Sequence, residues 1–204
     1  MAVSDTGPIG IFDSGIGGLT VAKAIRQALP SERLLYFGDG APVPYGERST
    51  AQIRDFSKSI TEFLLERGSK LVVVACNTAS AAALKTLREQ LPAVHFIGME
   101  PAVKPAVAHT RTGVVGVIAT VSTMQSAVFA SVVERFGQGV EVIQRACPGL
   151  VRQIEAGAFD TPETEAMLRS WLEPMLDRGI DALVLGCTHY PMVQPLIERI
   201  VGPE

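Results

Sequence analysis

Short apolar runs of strand length recur along the chain and alternate with longer stretches in which apolar residues return at helical spacing. Segments 49–66 and 161–178 carry such apolar stripes and predict amphipathic helices. The runs that predict strands cover residues 9–12, 34–38, 71–75, 94–98, 114–119, 140–143 and 182–185. The run 71–75 has no polar alternation, which is typical of a parallel strand covered by helices on both faces. The pattern therefore predicts an α/β fold.

The alternation loses its register near Glu100 and Pro101, shortly before Pro105. Proline disfavours a continuing helix or strand, so the break indicates a crossing between two domains. We place the boundary near residue 98, which gives a first domain of residues 1–98 and a second of residues 99–204.

A weak internal repeat links the two predicted domains. A buried strand ends in Cys76-Asn77-Thr78 in the first domain, and another ends in Cys187-Thr188-His189 in the second. In open α/β sheets, ligands bind beyond the carboxyl ends of the strands. Both cysteines are therefore expected where such proteins carry out their chemistry.

Composition narrows the class of protein. The chain has 204 residues, of which 47% are hydrophobic and 19% charged, so a compact globular protein is expected. We find no apolar run close to the roughly 20 residues that cross a bilayer and no signal peptide in residues 1–8, so we expect a cytoplasmic protein without a membrane partner. A formal net charge of -3 argues against nucleic acid and favours small-molecule ligands. The three cysteines are expected to be free thiols.

The segment 9–20 combines a strand, a glycine-rich turn and the start of a helix, which aims backbone N–H groups at an anion. We expect it to hold a carboxylate or a phosphate. The dinucleotide fingerprint fails at Thr20, five residues after Gly15, and no Walker lysine follows. Asp13 and Ser14 fit either a helix-capping pair or a group that orients or accepts a proton.

Residues 39–46 form a loop after the second predicted strand. Pro44 restricts its backbone, and Gly46 permits close approach of a ligand. Tyr45 could close over a ligand, although a Pro-Tyr-Gly turn is more often structural.

The two strand-end cysteines offer several kinds of chemistry. The start of a helix after Cys76 is expected to stabilise a thiolate and lower the pKa of this thiol, and His189 is expected to tune Cys187. Thiols on opposite faces of a substrate suit removal of a proton from a carbon and its return on the other face. A zinc site is disfavoured because the sequence has no Cys-x-x-Cys pair. A single-thiol nucleophile with His189 as its base is the other alternative, but it gives the second cysteine no role. The remaining Cys147 looks structural.

Four motifs carry a resemblance to a known family. They are Asp13-Ser14-Gly15-Ile16-Gly17-Gly18-Leu19, Pro44-Tyr45-Gly46, Ala75-Cys76-Asn77-Thr78-Ala79 and Gly186-Cys187-Thr188-His189-Tyr190-Pro191. In order and context they resemble the glutamate racemases of the aspartate/glutamate racemase superfamily. The resemblance implies two similar flavodoxin-like, three-layer domains with mostly parallel sheets and an active site in the cleft between them. It also implies interconversion of L- and D-glutamate without PLP or metal, with D-glutamate feeding peptidoglycan synthesis.

The resemblance implies a role for each matching residue. Cys76 and Cys187 would be the two acid/base groups, with Asp13, His189 and Glu155 assisting them. The expected substrate-binding residues are Asp13, Ser14, Pro44, Tyr45, Gly46, Asn77, Thr78, Thr120, Thr123, Thr188 and His189. Taken without the family, the sequence favours a solvated helix acid at Glu155 and helix caps at Thr120 and Thr123 over functional roles.

The family normally continues past the His-Tyr-Pro helix and returns to the first domain, whereas this sequence stops at Glu204. We therefore expect an exposed apolar face on the first domain, which a homodimer would cover. The alternatives are a chain that binds a small dicarboxylate with little or no turnover, and an aspartate racemase of the same superfamily.

Overall fold

The computed structural model describes residues 6–41 and 43–202. The chain divides into two compact units, Met1–Met99 and Glu100–Glu204, and each is described by itself below. Glu204, where the sequence was expected to stop short of its family, lies outside the described residues. Within the described part of the chain, no helix is long and apolar enough to span a membrane.

The first unit is built on a sheet of parallel strands in the order β2-β1-β3-β4. Its strands are β1 (Ile9–Asp13), β2 (Leu34–Gly38), β3 (Leu71–Val74) and β4 (Phe96–Gly98). Its helices are α1 (Leu19–Ala28), α2 (Thr50–Glu66) and α3 (Asn77–Gln90), with a short 3-10 turn at Tyr45–Glu47.

The second unit is built on a sheet of parallel strands in the order β6-β5-β7. Its strands are β5 (Val114–Ala119), β6 (Glu141–Ala146) and β7 (Ala182–Leu185). Its helices are α4 (Val103–His109), α5 (Val121–Met124), α6 (Ala127–Phe136), α7 (Leu150–Glu155), α8 (Pro162–Leu176) and α9 (Gln194–Val201), with a 3-10 turn at Tyr190–Val193 before α9.

The predicted α/β class with parallel sheets is confirmed, and each apolar run overlaps an observed strand. The largest shift is at β6, which was predicted at 140–143 and extends to Ala146. Gln144 and Arg145 are exposed yet pair with Val117 and Ile118 of β5, because an edge strand can hold polar residues in the ladder. The apolar run therefore ends before the strand does, and the hydrophobic pattern predicted β6 too short.

Helices cover both faces of the first sheet unequally. Phe12, Val72 and Val74 point to the face that packs with buried residues of α2 and α3. The opposite face, with Ile11 and Val73, packs against partly buried residues of α1. Ile97 of β4, in register with Val73, remains 52% exposed.

The two units share one topology, in which β1, β2 and β3 correspond to β5, β6 and β7. The residues after the strands repeat the same backbone hydrogen bonds. Ala75 N–H donates to Phe12 O at 2.8 Å, as Gly186 N–H donates to Ile118 O at 2.7 Å. Likewise Asp39 N–H donates to Asp13 O at 3.0 Å, as Cys147 N–H donates to Ala119 O at 2.9 Å. Each unit therefore gathers the carboxyl ends of three strands around one point, the switch point where α/β sheets bind ligands.

Candidate active site

Asp13 lies fully buried at the end of β1, where a glycine turn wraps around it. The Gly15 N–H donates to Asp13 Oδ2 at 3.0 Å, and the Tyr36 hydroxyl donates to Gly15 O at 2.6 Å. A Cβ at Gly18 would lie 2.4 Å from the Asp13 Cβ and 2.9 Å from the Tyr36 hydroxyl oxygen. The sequence therefore needs glycine at 18 because helix α1 starts directly against the buried acid.

Cys76 is the N-cap of α3 and is 5% exposed. Its Sγ accepts a hydrogen bond from Ala79 N–H at 3.4 Å, and the thiol donates to Ser14 Oγ at 3.8 Å. Burial, followed by the charge of Asp13, raises the pKa of Cys76 to about 12, and the hydrogen bonds oppose this only in part. The expected lowering of this pKa is wrong for the free protein, because desolvation outweighs the helix start.

Two polar side chains follow Cys76 into the first turn of α3. Asn77 and Thr78 are both buried. The Asn77 Oδ1 has no hydrogen-bond partner among the described residues, which leaves a buried acceptor suited to a donor group of a ligand.

The Pro44-Tyr45-Gly46 loop lies in the first unit as well, and Pro44 and Tyr45 are buried. The Tyr45 hydroxyl donates to Asp39 Oδ2 at 2.6 Å. Its ring lies 5.7 Å from that of Phe56 of α2, between ring centroids. Tyr45 and Cys76 belong to the same buried cluster, so the loop packs against the wall that holds the thiol.

The second unit aligns a thiol, an imidazole and a carboxylate. Cys187 is 7% exposed and His189 is 1% exposed. Cys187 Sγ lies 3.9 Å from His189 Nδ1, and His189 Nε2 lies 2.5 Å from Glu155 Oε1 at the end of α7. If Nε2 carries the imidazole proton and donates it to Glu155, Nδ1 is the acceptor that faces the thiol. Glu155 is therefore a partner of His189 and not a solvated helix acid.

The remaining predicted residues of the second unit are buried near strand ends. Thr120 caps α5, accepts from Thr123 N–H at 3.2 Å, and its hydroxyl lies 2.9 Å from that of Thr123. The capping interpretation is thus correct for Thr120. A helix cap can also contact a ligand, so the predicted binding role of Thr120 stays a prediction. Thr188 is buried beside Cys187.

Sequence reasoning missed three residues near the strand ends, namely Tyr36, Asp39 and Tyr190. Tyr36 and Asp39 gave no signal because a strand tyrosine and a turn aspartate are ordinary in those places. Tyr190 is fully buried, and its hydroxyl has no hydrogen-bond partner among residues 6–41 and 43–202. Cys147 is buried after β6, in the place that Asp39 occupies after β2, and in the same described ranges no cluster of His, Cys, Asp and Glu could hold a metal ion.

Comparison with known protein families identifies a relationship over most of the chain, including both strand-end cysteines. The profile described as Asp/Glu/Hydantoin racemase matches residues 17–203. The chain belongs to the Asp/Glu/hydantoin racemase family. Within this racemase family, a protein named glutamate racemase from Roseiflexus sp. (strain RS-1) is 54% identical over 197 residues, which are 97% of this chain and 72% of that protein.

Solved structures of racemases share the fold. Glutamate racemase from Francisella tularensis in complex with D-glutamate has a TM-score of 0.83 and 37% identity, and the match covers 97% of this chain and 74% of that one. Escherichia coli glutamate racemase in complex with L-glutamate and an activator has a TM-score of 0.87 and 34% identity, over 97% of this chain and 75% of that one. These similarities confirm the two-domain α/β racemase fold that the motifs implied.

Proposed function

We propose that this chain is a glutamate racemase that interconverts L- and D-glutamate by proton transfer at the α-carbon, with Cys76 and Cys187 as the two proton-transfer groups. The observation that carries the proposal is the matched placement of two buried thiols, each directly after the corresponding strand of a repeated sheet. Relatives named glutamate racemase at more than half identity support the choice of substrate.

The proton of Cys187 has a defined acceptor. His189 Nδ1 lies within reach of the thiol, and Glu155 stabilises the imidazolium that forms when the proton moves. A thiolate at Cys187 is then the base that removes the α-proton from one enantiomer. In the reverse direction, the thiol returns a proton to the same face.

Cys76 starts from the opposite protonation state. Its raised pKa keeps it a thiol in the free protein, so it is ready to donate a proton. A substrate α-ammonium near Asp13 would offset the negative charge that opposes a thiolate at Cys76. The same thiol would then serve as a base when the other enantiomer binds.

The α-carbanion requires oriented donors in a site without bulk water. We propose that Ser14, Asn77, Thr78 and Thr188 hold the substrate carboxylate and meet the developing charge. The rest of the proposed binding set is Pro44, Tyr45, Gly46, Thr120 and Thr123.

Racemisation in deuterated water tests the proposal. Either pure enantiomer should lose optical rotation and acquire deuterium at the α-carbon, which proton NMR detects. Cys76→Ser and Cys187→Ser should each reduce racemisation by about a thousandfold or more, because a serine hydroxyl is a far weaker acid than a thiol. Cys147→Ser is the matched control and should retain activity. Binding of glutamate without exchange would instead support a silent dicarboxylate-binding chain, and exchange of aspartate alone would support an aspartate racemase.

The Cys187–His189–Glu155 geometry also fits a single-thiol hydrolase or transferase. That function predicts a covalent thioester on Cys187, visible as a mass increase of the intact protein, and no requirement for Cys76. A Cys76→Ser variant with full activity would favour it over racemisation.

The proposal extends to the cellular setting. We propose that D-glutamate made by this chain feeds peptidoglycan synthesis and that the protein is cytoplasmic, where a reducing environment fits three free cysteines. We also propose domains of residues 1–98 and 99–204, and a homodimer that covers exposed apolar side chains such as Ile97. Sedimentation velocity would test the dimer.

A further inference from the structure

The Asp39–Tyr45 hydrogen bond has no assigned role in the proton transfers above. Asp39 follows β2 and is fixed at its backbone, since its N–H donates to Asp13 O at 3.0 Å. Its carboxylate accepts the Tyr45 hydroxyl at 2.6 Å. One residue thus connects the strand end that carries the acid with the Pro44-Tyr45-Gly46 loop.

Tyr45 links the Asp39 hydrogen bond to the buried cluster that contains Cys76. It is 1% exposed, and its ring packs against Phe56 on one side. It shares its buried cluster with Cys76 and Phe12. The hydrogen bond and the ring contact together restrict the movement of the Tyr45 side chain and of the loop that carries it.

A carboxylate is a specific choice of partner for this phenol. A buried tyrosine hydroxyl needs one acceptor, and a backbone carbonyl would be enough for stability. A charge-assisted hydrogen bond is shorter and stronger, so it restricts the hydroxyl to one position. Burial and the Asp39 carboxylate also raise the pKa of Tyr45, which keeps the phenol a permanent donor.

We infer that Asp39 is a positioning residue, which holds Tyr45 against Cys76 and thereby sets the substrate loop Pro44-Tyr45-Gly46 in the first unit. The role in catalysis rests on the proposed racemase function, whereas the packing role does not. Asp39 itself does not exchange a proton with the substrate in this assignment.

Thiol alkylation measures the packing role without any turnover. Iodoacetamide labelling, followed by peptide mass spectrometry, gives separate rates for Cys76 and Cys187 in one sample. Asp39→Ala should speed labelling of Cys76 by about tenfold, as expected when one charge-assisted hydrogen bond is lost, and should leave Cys187 unchanged. Because Cys187 belongs to the other unit, a general loss of stability would accelerate both cysteines and would overturn the inference.

Variants separate the hydrogen bond from packing. Tyr45→Phe keeps the ring against Phe56 but removes the donor, so it should match Asp39→Ala in the labelling of Cys76. The double variant should add nothing further. Asp39→Asn keeps an acceptor oxygen but loses the charge, so its rate of Cys76 labelling should lie between those of the wild type and Asp39→Ala. Asp55→Ala, an exposed aspartate on α2, is the control for removing a carboxylate.

Kinetics tests the catalytic role. Asp39→Ala and Tyr45→Phe should raise KM for glutamate by about tenfold with a smaller change in kcat, since the loop binds substrate and does not transfer protons. Unchanged KM and unchanged Cys76 labelling in both variants would overturn the inference while leaving racemisation intact. A wild type without racemisation but with the predicted labelling pattern would instead remove the proposed function and support the packing role of Asp39.

Discussion

Replacing Glu155 by glutamine tests the proton relay of the second unit with a minimal change of shape. Glu155 Oε1 lies 2.5 Å from His189 Nε2, and the glutamate side chain is only 19% exposed. The carboxylate stabilises the imidazolium, whereas an amide oxygen makes only a neutral acceptor. An amide that turned its NH2 group towards Nε2 would shift the imidazole proton to Nδ1, where it blocks acceptance from Cys187.

The size of the effect follows from the hydrogen bond. Bonds to charged groups are worth about 1.5–3 kcal/mol and neutral ones about 0.5–1.5 kcal/mol, so the variant loses about 1.5 kcal/mol. Since about 1.4 kcal/mol is a factor of ten, kcat/KM should fall by about tenfold. Enantiomers have equal free energies, so the fall in kcat/KM must be the same for L- and D-glutamate.

The isotope effect shows which thiol is affected. With α-deuterated substrates, Glu155→Gln should increase the primary isotope effect only for the enantiomer that Cys187 deprotonates, because only that transfer has become slower. The other enantiomer should show a smaller primary isotope effect than in the wild type, because reprotonation from Cys187, which carries no substrate deuterium, then limits its rate. Glu163→Gln, an exposed change on α8, is the matched control and should alter neither value.

Two results would refute this reasoning. An equal rise of the isotope effect for both enantiomers would mean that Glu155 acts on the whole site and not through Cys187. Wild-type kcat/KM in the variant, with the fold intact by circular dichroism, would mean that the His189–Glu155 contact has no part in proton transfer.

Two further predictions concern packing and ionisation. Gly18→Ala should lower kcat/KM by about tenfold or more, because the new Cβ would lie 2.4 Å from the Asp13 Cβ and must displace the acid; steady-state kinetics and a thermal melt would check this, and wild-type activity would contradict the contact. Cys147→Ala should retain activity and change the alkaline stability. Burial raises the pKa of Cys147 to about 12 from an ordinary 9.0, so its contribution to stability is complete below pH 9 and is lost as the pH rises towards 12. Urea titrations should show that the variant loses free energy of unfolding less steeply in this range, by about 1.4 kcal/mol per pH unit, and parallel curves would contradict a buried neutral thiol.

The hydrophobic pattern was enough for the fold class, because strands covered on both faces must be continuously apolar. β2, β5 and β7 begin and end at the residues that the pattern predicted. The same argument failed at the end of β6, where an edge position lets Gln144 and Arg145 face solvent. Spacing also located Cys76 and Cys187 after strands, since chain order alone fixes which residue follows a strand.

The sequence alone could not determine what surrounds each thiol. His189 is adjacent to Cys187 in the chain, but Glu155 reaches the imidazole only through the packing of α7. The pKa of Cys76 depends on how deeply α3 buries the thiol and on the nearness of Asp13. Asp39 meets Tyr45 only because the loop folds back onto β2. Desolvation and through-space contacts have no period along the chain, and for that reason only the tertiary structure decided the electrostatics of these groups.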